Sequence, residues 1–255
     1  GRTHGVAVSQ TGDVLVFHQA SPGVLVFDEA GRLMRSFGEG FTGAHGFTLV
    51  REGGDEFVWV TDEKSCRVVK LAVRDGAAVQ ELQAPPTSGR YVPTWAAVNA
   101  ANGDVWVGDG YGSYGVHRFD RRGKYLMSLD GTEGAGKFTE PHGLAFSPAG
   151  ELWIADRANH RITVYDAEGK HLRHREGVCH SPCMFDFLGT LVVVPELFGS
   201  VKLLDAQTLE LVAELAPNPD VAPNPTGWWP PKAPNGWPDL RGTPTLRPGV
   251  FSSPH

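Results

Sequence analysis

The sequence predicts an all-β chain folded as a six-bladed β-propeller, with five blades present and a sixth begun. Three observations lead there. One unit repeats along the chain at a period of about forty residues. Each copy holds four short runs rich in Val and aromatic residues, bounded by Gly, Asp and Asn. No window shows sustained helical periodicity. Four strands at such a period make one propeller blade, and the 255 residues are read as one domain because a propeller is a closed ring.

The first runs open the blades near residues 4, 45, 94, 142, 183 and 253. They read Thr3-His4-Gly5-Val6, Ala44-His45-Gly46-Phe47, Pro93-Thr94-Trp95-Ala96, Pro141-His142-Gly143-Leu144 and Pro182-Cys183-Met184-Phe185. The sixth starts at Ser253-Pro254-His255, and a complete blade from there needs about forty residues. Apolar runs with small residues suit strands crowded at an axis. Second runs end on a polar residue: His18, Asp62, Asp109 and Asp156. Third runs close on Phe27-Asp28, Phe119-Asp120 and Tyr165-Asp166, each followed by a glycine turn. Fourth runs mix in charge, as a blunted outer edge requires. Residues 216–248 break the pattern with Pro-Asn-Pro, Trp228-Trp229-Pro230-Pro231 and Trp237-Pro238. They read as an insertion between blades, either a surface connector or a lid over one mouth of the channel.

A net charge of −6 argues against an electrostatic grip on nucleic acid. No apolar stretch is long enough to span a bilayer. No secretory leader stands at the N-terminus, and the chain starts inside a repeat. Cys66, Cys179 and Cys183 are too few for a disulfide framework, and a Cys179–Cys183 bridge stays open.

The slot that opens each blade carries the chemistry. It holds His4, His45, Thr94, His142, Cys183 and His255 in turn. Catalytic zinc takes three protein ligands and keeps a position open for water or substrate. Alternate blades of a six-bladed ring stand about 120° apart, matching one face of a tetrahedron. His45, His142 and His255 are therefore expected to converge on a zinc ion, while the slots of the odd blades are not. His4 and Cys183 remain as channel-lining groups beside them, with His18 and Gln19 at the rim. The recurring Asp62, Asp109 and Asp156 read as turn caps. Tyr111 and Arg157 do not recur, and they break the repeat on neighbouring rims, where sites are built. A tyrosine beside a cation can act as general base, and an arginine fork can clamp a carboxylate.

The blade unit resembles an NHL repeat. The segments Ala44-His45-Gly46, Asp109-Gly110-Tyr111-Gly112, Phe138-Thr139-Glu140-Pro141-His142-Gly143 and Ala155-Asp156-Arg157-Ala158-Asn159-His160-Arg161-Ile162 are similar to peptidyl-α-hydroxyglycine α-amidating lyase and its bacterial relatives. The resemblance implies zinc on His45, His142 and His255, Tyr111 as general base and Arg157 in the active site. It implies a lyase that cleaves the C–N bond of an α-hydroxyglycine-type substrate, small or peptidic, in a secreted or periplasmic protein. Three positions depart from the family. Gln19 replaces an arginine, Ser253 replaces a methionine, and the acidic residue that helps hold a structural calcium lies beyond His255. Gln19 supplies no charge for a carboxylate, which points to a related substrate. The alternative is a non-catalytic propeller that binds a protein or ligand on its rim. A gluconolactonase-like hydrolase comes last, since it needs Glu, Asn and Asp in the channel.

Overall fold

The computed structural model describes residues 2–86, 89–197 and 199–215. His255, the start of a sixth blade at Ser253 and the 216–248 insertion lie outside them. Within the described residues, consecutive strands form five four-stranded antiparallel sheets. The first blade is β1 (Thr3–Val8), β2 (Val14–His18), β3 (Val24–Phe27) and β4 (Leu33–Phe37). The second is β5 (Ala44–Glu52), β6 (Asp55–Asp62), β7 (Arg67–Ala72) and β8 (Ala78–Leu82). The third is β9 (Trp95–Val98), β10 (Val105–Gly108), β11 (Val116–Phe119) and β12 (Tyr125–Leu129). The fourth is β13 (Pro141–Phe146), β14 (Leu152–Asp156), β15 (Arg161–Tyr165) and β16 (His171–Glu176). The fifth is β17 (Asp186–Leu188), β18 (Leu191–Pro195), β19 (Val201–Asp205) and β20 (Leu211–Leu215).

The second blade exceeds its sequence unit. Its first hairpin runs out to a Glu52–Asp55 pair and turns on Gly53-Gly54, both at positive φ. That is the backbone a tight two-residue turn demands, and glycine reaches it without a Cβ clash.

The core lies between blades rather than within them. Leu15 and Val26 pack with Val58 and Leu71 across the first and second blades. Trp59 and Val68 meet Val105 and Phe119 across the next pair. Trp106 and Leu129 meet Leu152 and Tyr165, and Trp153 and Val164 meet Val192 and Leu204. Each such side chain contributes about 1.5–3 kcal/mol by leaving water. The three tryptophans occupy one position of the repeat and are fully buried. Strand β1 lies beside β5, β5 beside β9 and β9 beside β13, so the blade-opening residues face a common channel. The outer strands β4, β8, β12, β16 and β20 carry the exposed, mixed pattern expected of an edge.

All three cysteines are free thiols, so no Cys179–Cys183 bridge forms. Among the described residues no helix is long and apolar enough to cross a membrane.

Candidate metal centre

The histidine slots coincide with irregularities in the ladder. Pairing slips between Thr3 and Gly5 in β1, between Ala44 and Phe47 in β5, and between Pro141 and Leu144 in β13. Strand β9, whose blade opens on Thr94, pairs with β10 without a slip. A bulge re-aims the side chain it carries. Here it frees His4, His45 and His142 from the alternation that would otherwise fix their face.

The glycine after each histidine lets the next blade come close. A Cβ on Gly46 would lie 2.6 Å from Thr94 O, and one on Gly143 would lie 2.1 Å from Cys183 O. Both distances are below any tolerable contact, so only glycine fits. The close approach brings each imidazole onto its neighbour's backbone: His45 Nδ1 is 2.7 Å from Thr94 O, and His142 Nδ1 is 2.9 Å from Cys183 O. A carbonyl can only accept, so Nδ1 carries the proton in both rings and Nε2 keeps a lone pair. A backbone carbonyl on one nitrogen is the usual support of a metal-binding histidine. The two rings are fully buried with centroids 4.7 Å apart. They fit a metal as two ligands of a set. Among the described residues no group of three His, Cys, Asp or Glu side chains could hold one.

Thr94 sets the spacing of the pair. Its carbonyl also accepts the Thr61 hydroxyl at 2.9 Å, and its own hydroxyl donates to Pro141 O at 2.8 Å, next to His142. One buried residue in the third blade thus ties the second to the fourth.

Tyr111 and Arg157 come together at this pair. The Tyr111 hydroxyl donates to His45 Nε2 at 3.0 Å and accepts from Arg157 Nη2 at 3.1 Å. Its ring stands edge-on to both imidazoles, with centroids 5.1 Å from His45 and 6.0 Å from His142. Arg157 opens a 3-10 turn (Arg157–Asn159) directly after β14, and its guanidinium lies 5.4 Å over the Tyr111 ring. Glu140 Oε2 accepts from Arg157 Nη2 at 3.1 Å and from Nε at 3.3 Å. Burial pushes the Tyr111 hydroxyl up to about 12, and the Arg157 charge pulls against that shift. A desolvated phenolate is costly, and a nearby cation offsets the cost.

The other slot and rim residues fall around this centre. His4 is buried with its ring 5.3 Å from that of His45. An odd-numbered slot thus stands beside the pair, as a channel-lining group would, because β1 lies next to β5. His18 ends β2 at the rim. Gln19 Nε2 donates to Ala44 O at 3.4 Å and lies 3.5 Å from Glu63 Oε1. Burial raises the Glu63 carboxyl above its ordinary value, with Lys64 opposing. Cys183 is buried, its thiol 3.5 Å from Ser181 O. The aspartates are caps. Asp62 accepts from the backbone of Gly43, Lys64 and Ser65, Asp109 from Val92 and Ser113, and Asp156 from Thr139. Sequence reasoning placed Thr94 in a slot and Glu63 at the rim without giving either a role, and gave Glu140 none. Thr94 had a visible signal, since it fills the slot between two histidine blades. Glu140 had none in the strand pattern.

Comparison with known proteins agrees with this architecture. The family model described as NHL repeat matches residues 138–165, the stretch that carries Glu140, His142 and Arg157. Human NHL repeat-containing protein 3 is 30% identical over 183 residues, covering 66% of this chain and 53% of that protein. Peptidyl-alpha-hydroxyglycine alpha-amidating lyase 1 of Drosophila melanogaster is 24% identical over 253 residues, covering 83% of this chain and 46% of that protein. The chain thus spans about half the length of each. The crystal structure of a catalytically inactive virginiamycin B lyase from Staphylococcus aureus, solved with quinupristin, superposes with a TM-score of 0.63. That match has 14% identity and covers 83% of this chain and 69% of the other, which speaks for the fold alone. The chain is an all-β propeller with five blades among its described residues; its residues 138–165 match the NHL repeat, and it is similar to proteins named as NHL repeat-containing protein 3 and as α-amidating lyases.

Proposed function

We propose that the channel holds a zinc ion on His45, His142 and His255, and that the protein is a lyase acting on a small α-hydroxyglycine-type substrate or a relative of one. The observation that carries the reading is the buried His45–His142 pair. Both Nδ1 atoms are tied to carbonyls, and the Tyr111 hydroxyl lies against one ring. Similarity to a protein named as an α-amidating lyase supports the same class.

Zinc, when bound, acidifies a hydroxyl presented to it. The remaining work falls to the protein's own groups. Tyr111, as phenolate, accepts the hydroxyl proton; the Arg157 guanidinium at 3.1 Å stabilises that phenolate before the proton arrives, and the neutral phenol then passes the proton on. The substrate C–O becomes C=O, the C–N electrons pass to nitrogen, and nitrogen takes up the proton. Arg157 is already bonded to Glu140 and Tyr111, and Gln19 is neutral. Gln19 thus adds no positive charge for a substrate carboxylate, which favours a substrate less acidic than a peptidyl-α-hydroxyglycine.

The test is release of an α-keto or aldehyde product from hydroxyglycine-type compounds by the zinc-loaded chain. Tyr111→Phe should keep the metal and lose roughly 10²–10⁴-fold in rate, the range one proton-transfer group supplies. A zinc-loaded parent that turns over none of a panel of such compounds would leave a rim-binding scaffold as the reading.

A further inference from the structure

Glu140 has a backbone that its neighbours in sequence do not explain. Its φ is +58°, in the left-handed region that a residue with a Cβ rarely enters. Proline follows it, and proline pushes the preceding residue toward extended backbone. Strain of this kind persists where surrounding bonds over-determine it, and it gathers at functional sites. The surrounding bonds are present. Glu140 O accepts from Arg157 N at 3.2 Å, Thr139 O accepts from Ala158 N at 3.1 Å, and Asp156 Oδ1 accepts from Thr139 N at 2.8 Å. The left-handed backbone thus sets both the carbonyl and the carboxylate of Glu140 on one residue, Arg157. That carboxylate takes two of the guanidinium's N–H groups, and a third bond, from Nη2, goes to the Tyr111 hydroxyl. Arg157 is only 2% exposed, so its orientation answers to these bonds more than to water.

We propose that Glu140 is a positioning residue that holds the Arg157 guanidinium against the Tyr111 hydroxyl. Glu140 itself touches neither histidine. It acts by fixing the arginine fork in the plane that aims Nη2 at the phenol oxygen. The carboxylate is a bidentate-capable acceptor for a planar donor, which a shorter or uncharged apolar side chain cannot replace. The functional weight of this arrangement rests on Tyr111 being the working group of the channel.

The test reads the arginine directly, without metal or substrate, so it fails or succeeds independently of the zinc reading. Nitrogen-15 NMR of the full chain follows the Arg157 Nε–H signal, assigned with Arg157→Lys. The parent should give a resolved, slowly exchanging signal. Glu140→Gln keeps an acceptor oxygen and should retain it. Glu140→Ala should lose it into the averaged arginine envelope and move the Tyr111 ring signals. Glu140→Gly guards against a folding artefact, because glycine adopts this φ without strain. It should lose the signal while melting no lower than the Ala variant. A protected Arg157 signal at the parent's position in both the Ala and Gly variants would overturn the proposal.

Discussion

Asp62, Asp109 and Asp156 occupy one position in three blades, and each binds the loop that leads into its own blade. Their recurrence makes the structural role readable in the sequence, because a side chain repeated from blade to blade serves the blade. Asp62→Ala leaves the N–H groups of Gly43, Lys64 and Ser65 without their acceptor. The expected cost is about 1–3 kcal/mol of stability in denaturant unfolding, the range for orphaned polar groups. Metal content should be untouched, and its loss would move Asp62 into the site. Tyr111 and Arg157 were legible for the opposite reason: they break the repeat. Glu140 was not legible. A glutamate before proline looks like any loop residue, and its left-handed φ comes from bonds to Arg157, a residue seventeen positions later.

At the scale of strands, alternation and turn chemistry located the second runs that became β2, β6, β10 and β14, because each strand is short and its turn residues are specific. The slips at the histidine slots were not visible, since a bulge is a property of two paired strands. The cap residue before β15, His160, and the first residue of β16, His171, also carry a pH dependence. Burial lowers His160, with the charge of His180 adding to it. Burial lowers His171 too, followed by His174. A base whose folded pKa is depressed binds more protons when unfolded, so stability rises with pH across that window. The melting temperature should therefore fall as pH drops from about 7.5 through the usual histidine value near 6.5. His160→Asn tolerates φ +53° and should flatten part of that slope in thermal melts. An unchanged slope would assign the dependence elsewhere.

The whole molecule explains what sequence symmetry locates and what it leaves undetermined. The core runs as one interblade cluster after another, so each blade is placed by its neighbours and the slots must face a shared channel. That much follows from counting repeats, and it brings His45 and His142 together. Counting left the odd slots out of the converging set and kept His4 and Cys183 as channel-lining groups, without saying which neighbours they meet. His4 stands beside His45, and Thr94 fastens the two histidine blades to each other. Register and close approach decide such contacts, and neither is written in the spacing.

Metal content of the purified chain tests the central claim most directly. Element analysis by mass spectrometry, after loading with zinc and extensive dialysis, should find about one zinc per parent chain. His142→Ala should retain almost none, with its far-ultraviolet circular dichroism unchanged. A parent that keeps all three histidines yet holds no stoichiometric zinc, or a His142→Ala chain that holds as much as the parent, would contradict it.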